Sequence, residues 1–77
     1  MALHPTTPAD GLAVTVNGAV RTLAAGASLG DLLEALGFAG RPIAVEVDGA
    51  VVPRAAAAGH RLVGGERIEI VTFVGGG

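Results

Sequence analysis

The chain has 77 residues, 51% of them hydrophobic, and a formal net charge of −2. A single domain of this length buries only about 60–65% of its unfolded surface, which leaves little room for an enclosed active site. It contains no Cys and no Lys, which excludes a disulfide framework, a thiolate metal site, a Cys nucleophile, a P-loop and the Lys-tethered biotinyl and lipoyl carriers.

Residues 1–10 carry two Pro and two Thr and show no periodicity. They are expected to form a flexible N-terminal extension, and they lack the basic start and apolar run of a signal peptide. Leu12-Ala13-Val14-Thr15-Val16 alternates as a strand, with Leu12, Val14 and Val16 on one face. Asn17-Gly18 is a strong type I′ hairpin signal, and Val20-Arg21-Thr22-Leu23 reads as the returning strand. Ser28 is a good helix N-cap, with Asp31 placed to complete a capping box. Leu29, Leu32, Leu33 and Leu36 then fall on one helical face, and Gly37 suits the position just past the helix end. So short a helix persists only by packing its Leu face on a sheet.

Ile43-Ala44-Val45-Glu46-Val47 alternates again, Asp48-Gly49 is a second turn, and Ala50-Val51-Val52 is a short strand stopped by Pro53, which fits an edge. The Ala-rich stretch from Arg54 to Arg61 reads as loop or one helical turn. Gly64-Gly65 is a further turn, and Arg67 to Phe73 is the last strand. Period two puts Ile68 and Ile70 on one face of it and Val71 and Phe73 on the other. The expected fold is α+β: a mixed sheet of about five strands with one main helix on one face. A right-handed crossover through the helix places the first and last strands parallel and central. Arg54 is expected to be a solvated edge charge, with a partner contact as the alternative, and His60 an ordinary loop residue.

The chain then reads to Gly75-Gly76-Gly77. Glycine can thread a narrow channel, and a terminal carboxylate is a group that partner proteins capture. The two His, one of them in the extension, make no metal set, and the scattered Arg make no nucleic-acid surface. No apolar run approaches the roughly 18 residues of a membrane span. An enzyme acting alone is not expected.

This order of elements, closed by a diglycine, resembles the ubiquitin-like β-grasp family, and within it the ThiS-type sulfur carriers of thiamine thiazole biosynthesis. The resemblance runs from about Leu12 to Gly77. It rests on Val16-Asn17-Gly18, the Leu-rich helix, the segment from Ile43 to Val51-Val52-Pro53-Arg54, and Leu62-Val63-Gly64-Gly65-Glu66-Arg67-Ile68-Glu69-Ile70. The family usually has Asn at the place of Asp48, Gly-Asp at Gly65-Glu66, and a bulky residue after the Pro-Arg pair, where this chain has Ala55.

The resemblance implies a carrier domain over residues 11–77, with a flexible tail at 74–77 and Gly77 as the covalent site. A ThiF-like E1 enzyme would use ATP to adenylate the Gly77 carboxylate, a persulfide donor would supply sulfur, and the thiazole synthase ThiG would take it from the thiocarboxylate. Gly75 and Gly76 would thread the partner's channel. Phe73 and Val71 are expected to dock the partner, since an outward aromatic near a reactive end suits a binding hot spot. No cofactor or metal is expected on the chain itself, and a free monomer in the cytoplasm is. Two rivals share the fold: a MoaD-like small subunit of molybdopterin synthase, whose tail commonly has a Pro that this one lacks, and a β-grasp interaction module with an inert tail. An acyl-carrier reading through Ser28 conflicts with the strand pattern.

Overall fold

The computed structural model describes residues 11–73. The expected extension at residues 1–10 and the tail at 74–77 lie outside the described residues. The elements follow the order β1 (Gly11–Val16), β2 (Ala19–Ala24), α1 (Leu29–Ala35), β3 (Ile43–Val47), β4 (Ala50–Val52), a 3-10 helix (Arg54–Gly59) and β5 (Arg67–Thr72).

Both hairpins close as their sequences require. Asn17 and Gly18 have φ of 50° and 87°, and Asp48 and Gly49 repeat those values. Positive φ at both central residues defines the turn whose twist matches the strands it joins. The ladder therefore pairs Val16 with Ala19 across the first turn and Val47 with Ala50 across the second. The five strands run in the order β2-β1-β5-β3-β4. β1 and β5 are parallel and β5 is central, as the crossover argument expects. β4 lies at an edge, where Pro53 costs no ladder bond.

Helix α1 begins at a complete capping box. The Ser28 hydroxyl accepts from the Asp31 N–H at 3.0 Å, and the Asp31 carboxylate accepts from the Ser28 N–H at 2.9 Å. Two N–H groups that the first turn cannot use are thereby satisfied. The Leu stripe is driven onto the sheet: Leu29, Leu32 and Leu33 are buried against Val14, Val16, Val45, Val47, Ile68 and Ile70. Leu36, at the helix C-cap, and Leu12 are only half-buried at the margin of this core.

The Ala-rich segment forms the 3-10 helix, and Ala57 enters the core with Leu62. Its approach to α1 explains a residue that looks unfavourable in the sequence. A Cβ on Gly30 would lie 3.2 Å from the Ala58 Cα. The missing side chain thus lets two backbones meet. Gly30→Ala should therefore lower stability by about 1 kcal/mol, because overpacking outweighs the gain in helix propensity near a terminus. A urea titration checks this, and a raised midpoint would contradict the close packing.

Candidate functional site

One face of the sheet holds α1, and among the described residues nothing covers the other. On that open face the alternation of β5 places Arg67, Glu69 and Val71, with Phe73 continuing the pattern just past the strand end. Val71 and Phe73 are each 56% exposed, whereas Ile68 and Ile70 are buried. The expected division of β5 is thus what the structure has, and no bulge turns Phe73 inward. Register sets Ala44 beside Val71, and Glu46 between Glu69 and Val51. Two like charges directly opposite do not stabilise a sheet.

The end of β5 is fixed from the β3 side. Thr72 pairs with Ile43, and the Phe73 N–H donates to the Pro42 carbonyl at 3.2 Å. Phe73, the last described residue, is thus tied to the sheet. Gly75, Gly76 and Gly77, the expected channel residues and covalent site, lie outside the described residues.

Arg54 is exposed, as expected of a solvated edge charge, but its guanidinium is also tied to the fold. Its Nη1 donates to the Arg41 carbonyl at 2.7 Å, and its Nη2 donates to the Phe38 carbonyl at 2.9 Å. One planar guanidinium thus staples the loop between α1 and β3, where backbone carbonyls have left the helix ladder. Arg41 in turn stacks over the Phe38 ring, 5.7 Å from its centroid. That loop leads into Pro42, whose carbonyl accepts the Phe73 N–H, so Arg54 holds the residue next to Pro42 in the chain. His60 does sit in a loop, but it is tied. Its Nε2 lies 3.3 Å from Glu66 Oε2, and its carbonyl accepts the Leu29 N–H at 2.8 Å. Glu66 Oε1 also accepts the Val63 N–H at 2.7 Å, so Glu serves this turn where the family usually has Asp.

Among the described residues there is no group of His, Cys, Asp and Glu that could hold a metal, and no helix is long and apolar enough to cross a membrane. What the described domain offers a partner is an open sheet face that leads to the chain's Gly end.

Comparison with known proteins agrees with that geometry. The family model described as the ThiS family matches residues 14–77. The chain belongs to the ThiS family. The match takes in both hairpins, the helix, β5 and the glycines beyond Phe73. A crystal structure of a thiamine biosynthesis protein (ThiS) from Geobacter metallireducens superposes with a TM-score of 0.71 at 33% identity, covering 86% of this chain and all of that one. The ubiquitin-like β-grasp fold is therefore shared with a ThiS protein at full length. A thiazole synthase from Paramagnetospirillum magneticum is 36% identical over 64 residues, which is 83% of this chain. This ThiS-family chain spans only 20% of that relative's length.

Proposed function

We propose that this ThiS-family chain is a sulfur carrier for thiamine thiazole formation, acting through a thiocarboxylate on Gly77. The observation that carries the reading is the family match over residues 14–77, which includes the glycines. A chain without Cys cannot carry sulfur on a thiol, which supports a thiocarboxylate on Gly77 as the carrying group.

The chemistry needs activation of the carboxylate, loading of sulfur and then transfer of that sulfur, each with a partner protein. A carboxylate is a poor acyl donor, so its oxygen first attacks the α-phosphorus of ATP and expels pyrophosphate. The terminal sulfur of a persulfide then displaces AMP from the acyl carbon, and a thiol cleaves the S–S bond to leave the thiocarboxylate. A ThiF-like E1 enzyme fits the first step and a ThiG-like thiazole synthase the sulfur transfer. The sequence similarity to a protein named thiazole synthase supports the second partner. The carrier supplies no catalytic group in this scheme; it supplies the acyl group and a handle. Gly75 and Gly76 are the part that enters the enzyme, because residues without Cβ pass where others clash.

Phe73 and Val71 are the handle's centre. Four residues separate Phe73 from the Gly77 carboxyl group, a span of at most about 14 Å. One enzyme can therefore hold the exposed face and the reactive end together. Phe73→Ser tests this. Thermal stability should fall little, because the ring is exposed. Affinity for the adenylating enzyme should fall by more than ~1 kcal/mol, the level of a contributing interface residue. Unchanged binding by calorimetry, with folding intact, would remove Phe73 from the docking surface.

A further inference from the structure

β1 contacts β5 through only two ladder pairs, Thr15 with Arg67 and Val16 with Ile68, before the chain turns away at Asn17-Gly18. The Asn17 N–H closes this ladder by donating to the Ile68 carbonyl at 2.8 Å. β5 continues to Thr72 with no backbone of β1 beside it. The Asn17 side chain takes the vacant place. Its Oδ1 accepts the Ile70 N–H at 2.7 Å, and its Nδ2 donates to the Ile70 carbonyl at 3.2 Å. A carboxamide has the same donor and acceptor as a peptide unit. It therefore lengthens the β1 ladder by one step without lengthening the strand.

We propose that Asn17 is a positioning residue for the carrier's docking end: its carboxamide holds the outer half of β5, up to Phe73, in line for the partner enzyme. This rests on the carrier reading above. The requirement selects Asn among the residues that tolerate the turn. Its φ of 50° favours Gly, Asn and Asp, but Gly has no amide and Asp no donor. The second hairpin shows the contrast. Asp48 holds the start of β5 by donating its own N–H to the Arg67 carbonyl at 2.7 Å and accepting the Arg67 N–H on Oδ1 at 2.8 Å. There the side chain only accepts, so Asp serves where the family usually has Asn. The two hairpin turns thus clamp β5 from opposite sides, Asp48 at its first residue and Asn17 at Ile70, three residues before Phe73.

If the clamp is lost, part of the population presents the docking end wrongly, and apparent affinity falls by the competent fraction. The acyl chemistry of the correctly held molecules is unaltered. Asn17→Gly keeps the turn and removes the carboxamide; Asn17→Asp keeps the turn and the acceptor but removes the donor. Ser28→Ala, which removes a helix cap and touches no part of β5, is the control for general destabilisation. Two readouts are compared at a temperature where all the variants are folded. Amide hydrogen exchange at Ile70 should quicken about tenfold in Asn17→Gly, the upper range for one lost hydrogen bond, and much less in Asn17→Asp, which keeps the acceptor of the Ile70 N–H. With the adenylating enzyme, KM for the carrier should rise severalfold in both Asn17 variants while kcat stays within about twofold, as expected for loss of uniform binding. Ser28→Ala should show neither change. An unchanged KM in Asn17→Gly, or an equal rise in Ser28→Ala, would overturn the positioning role. Failure of the unaltered chain to be adenylated would overturn the carrier reading instead, and the exchange at Ile70, which needs no partner, still decides the clamp.

Discussion

Deletion of Gly77 is expected to abolish adenylation and thiocarboxylate formation while leaving the domain folded. Among the described residues, every buried hydrophobic side chain lies between Val14 and Ile70. Thr72 and Phe73 already tie the end of β5 to the β3 side, so the truncated chain should keep its sheet. What it loses is register. The new terminal carboxylate on Gly76 would stop about one residue, some 3.3–3.6 Å, short of its place in the partner's site. Near-attack geometry is sensitive at the level of about 1 Å, where a misplacement already costs about a hundredfold. The rate of ATP–pyrophosphate exchange with a ThiF-like enzyme should therefore fall to background. A truncated chain that still accepted sulfur would end the assignment of Gly77 as the covalent site.

Leu33→Ala is expected to be the most damaging substitution in the helix. Leu33 is 2% exposed and stands in the stripe that meets β1, β3 and β5. Removing a buried Leu side chain costs roughly 2–5 kcal/mol through lost transfer free energy and the cavity left behind. A domain's whole stability is about 5–15 kcal/mol, and a chain this small belongs at the low end. The helix has seven residues and cannot hold itself without the sheet. The denaturant midpoint should therefore fall by a large fraction, and at the upper end of the range the domain would be unfolded at 37 °C. A midpoint equal to that of the unaltered chain would reject the packing of α1 on the sheet.

The parts of the fold legible in the sequence are those with local causes. Asn17-Gly18 and Asp48-Gly49 require positive φ, and that requirement alone predicts both hairpins. The Leu29, Leu32 and Leu33 stripe predicts which helix face is buried, and Ser28 with Asp31 predicts where the helix starts. Phe73 was legible as an outward residue because period two runs unbroken through β5. The contacts that were not legible join residues far apart in sequence. Asn17 reads as a turn residue, and nothing near it indicates that its carboxamide meets Ile70, 53 positions away. Arg54 reads as a surface charge because the carbonyls it holds, at Phe38 and Arg41, belong to a loop whose shape depends on the folded helix. Gly30 reads as a flaw in a helix until the 3-10 helix is seen lying against it. For the site the division is similar. The chemistry of the Gly end is in the residue types themselves, whereas the tie of Phe73 to Pro42, next to the loop stapled by Arg54, is a property of the assembled sheet.

The departures from the family pattern follow the same logic. Asp48 and Glu66 differ from the usual residues, yet their side chains accept backbone hydrogen bonds, from the Arg67 N–H and the Val63 N–H. A carboxylate meets that need as well as an amide or a shorter acid would. Ala55 replaces a bulky residue on an exposed part of the 3-10 helix, while the buried place in that helix is taken by Ala57.

The most direct test of the central claim is the intact mass of the unaltered chain after incubation with a ThiF-like enzyme, ATP and a persulfide donor. Replacement of one terminal oxygen by sulfur should add about 16 Da, through the activated acyl intermediate that such a nucleophile attacks. Fragmentation should place the whole increment on Gly77. An unchanged mass, under conditions in which the same enzyme converts its own cognate carrier, would contradict the account.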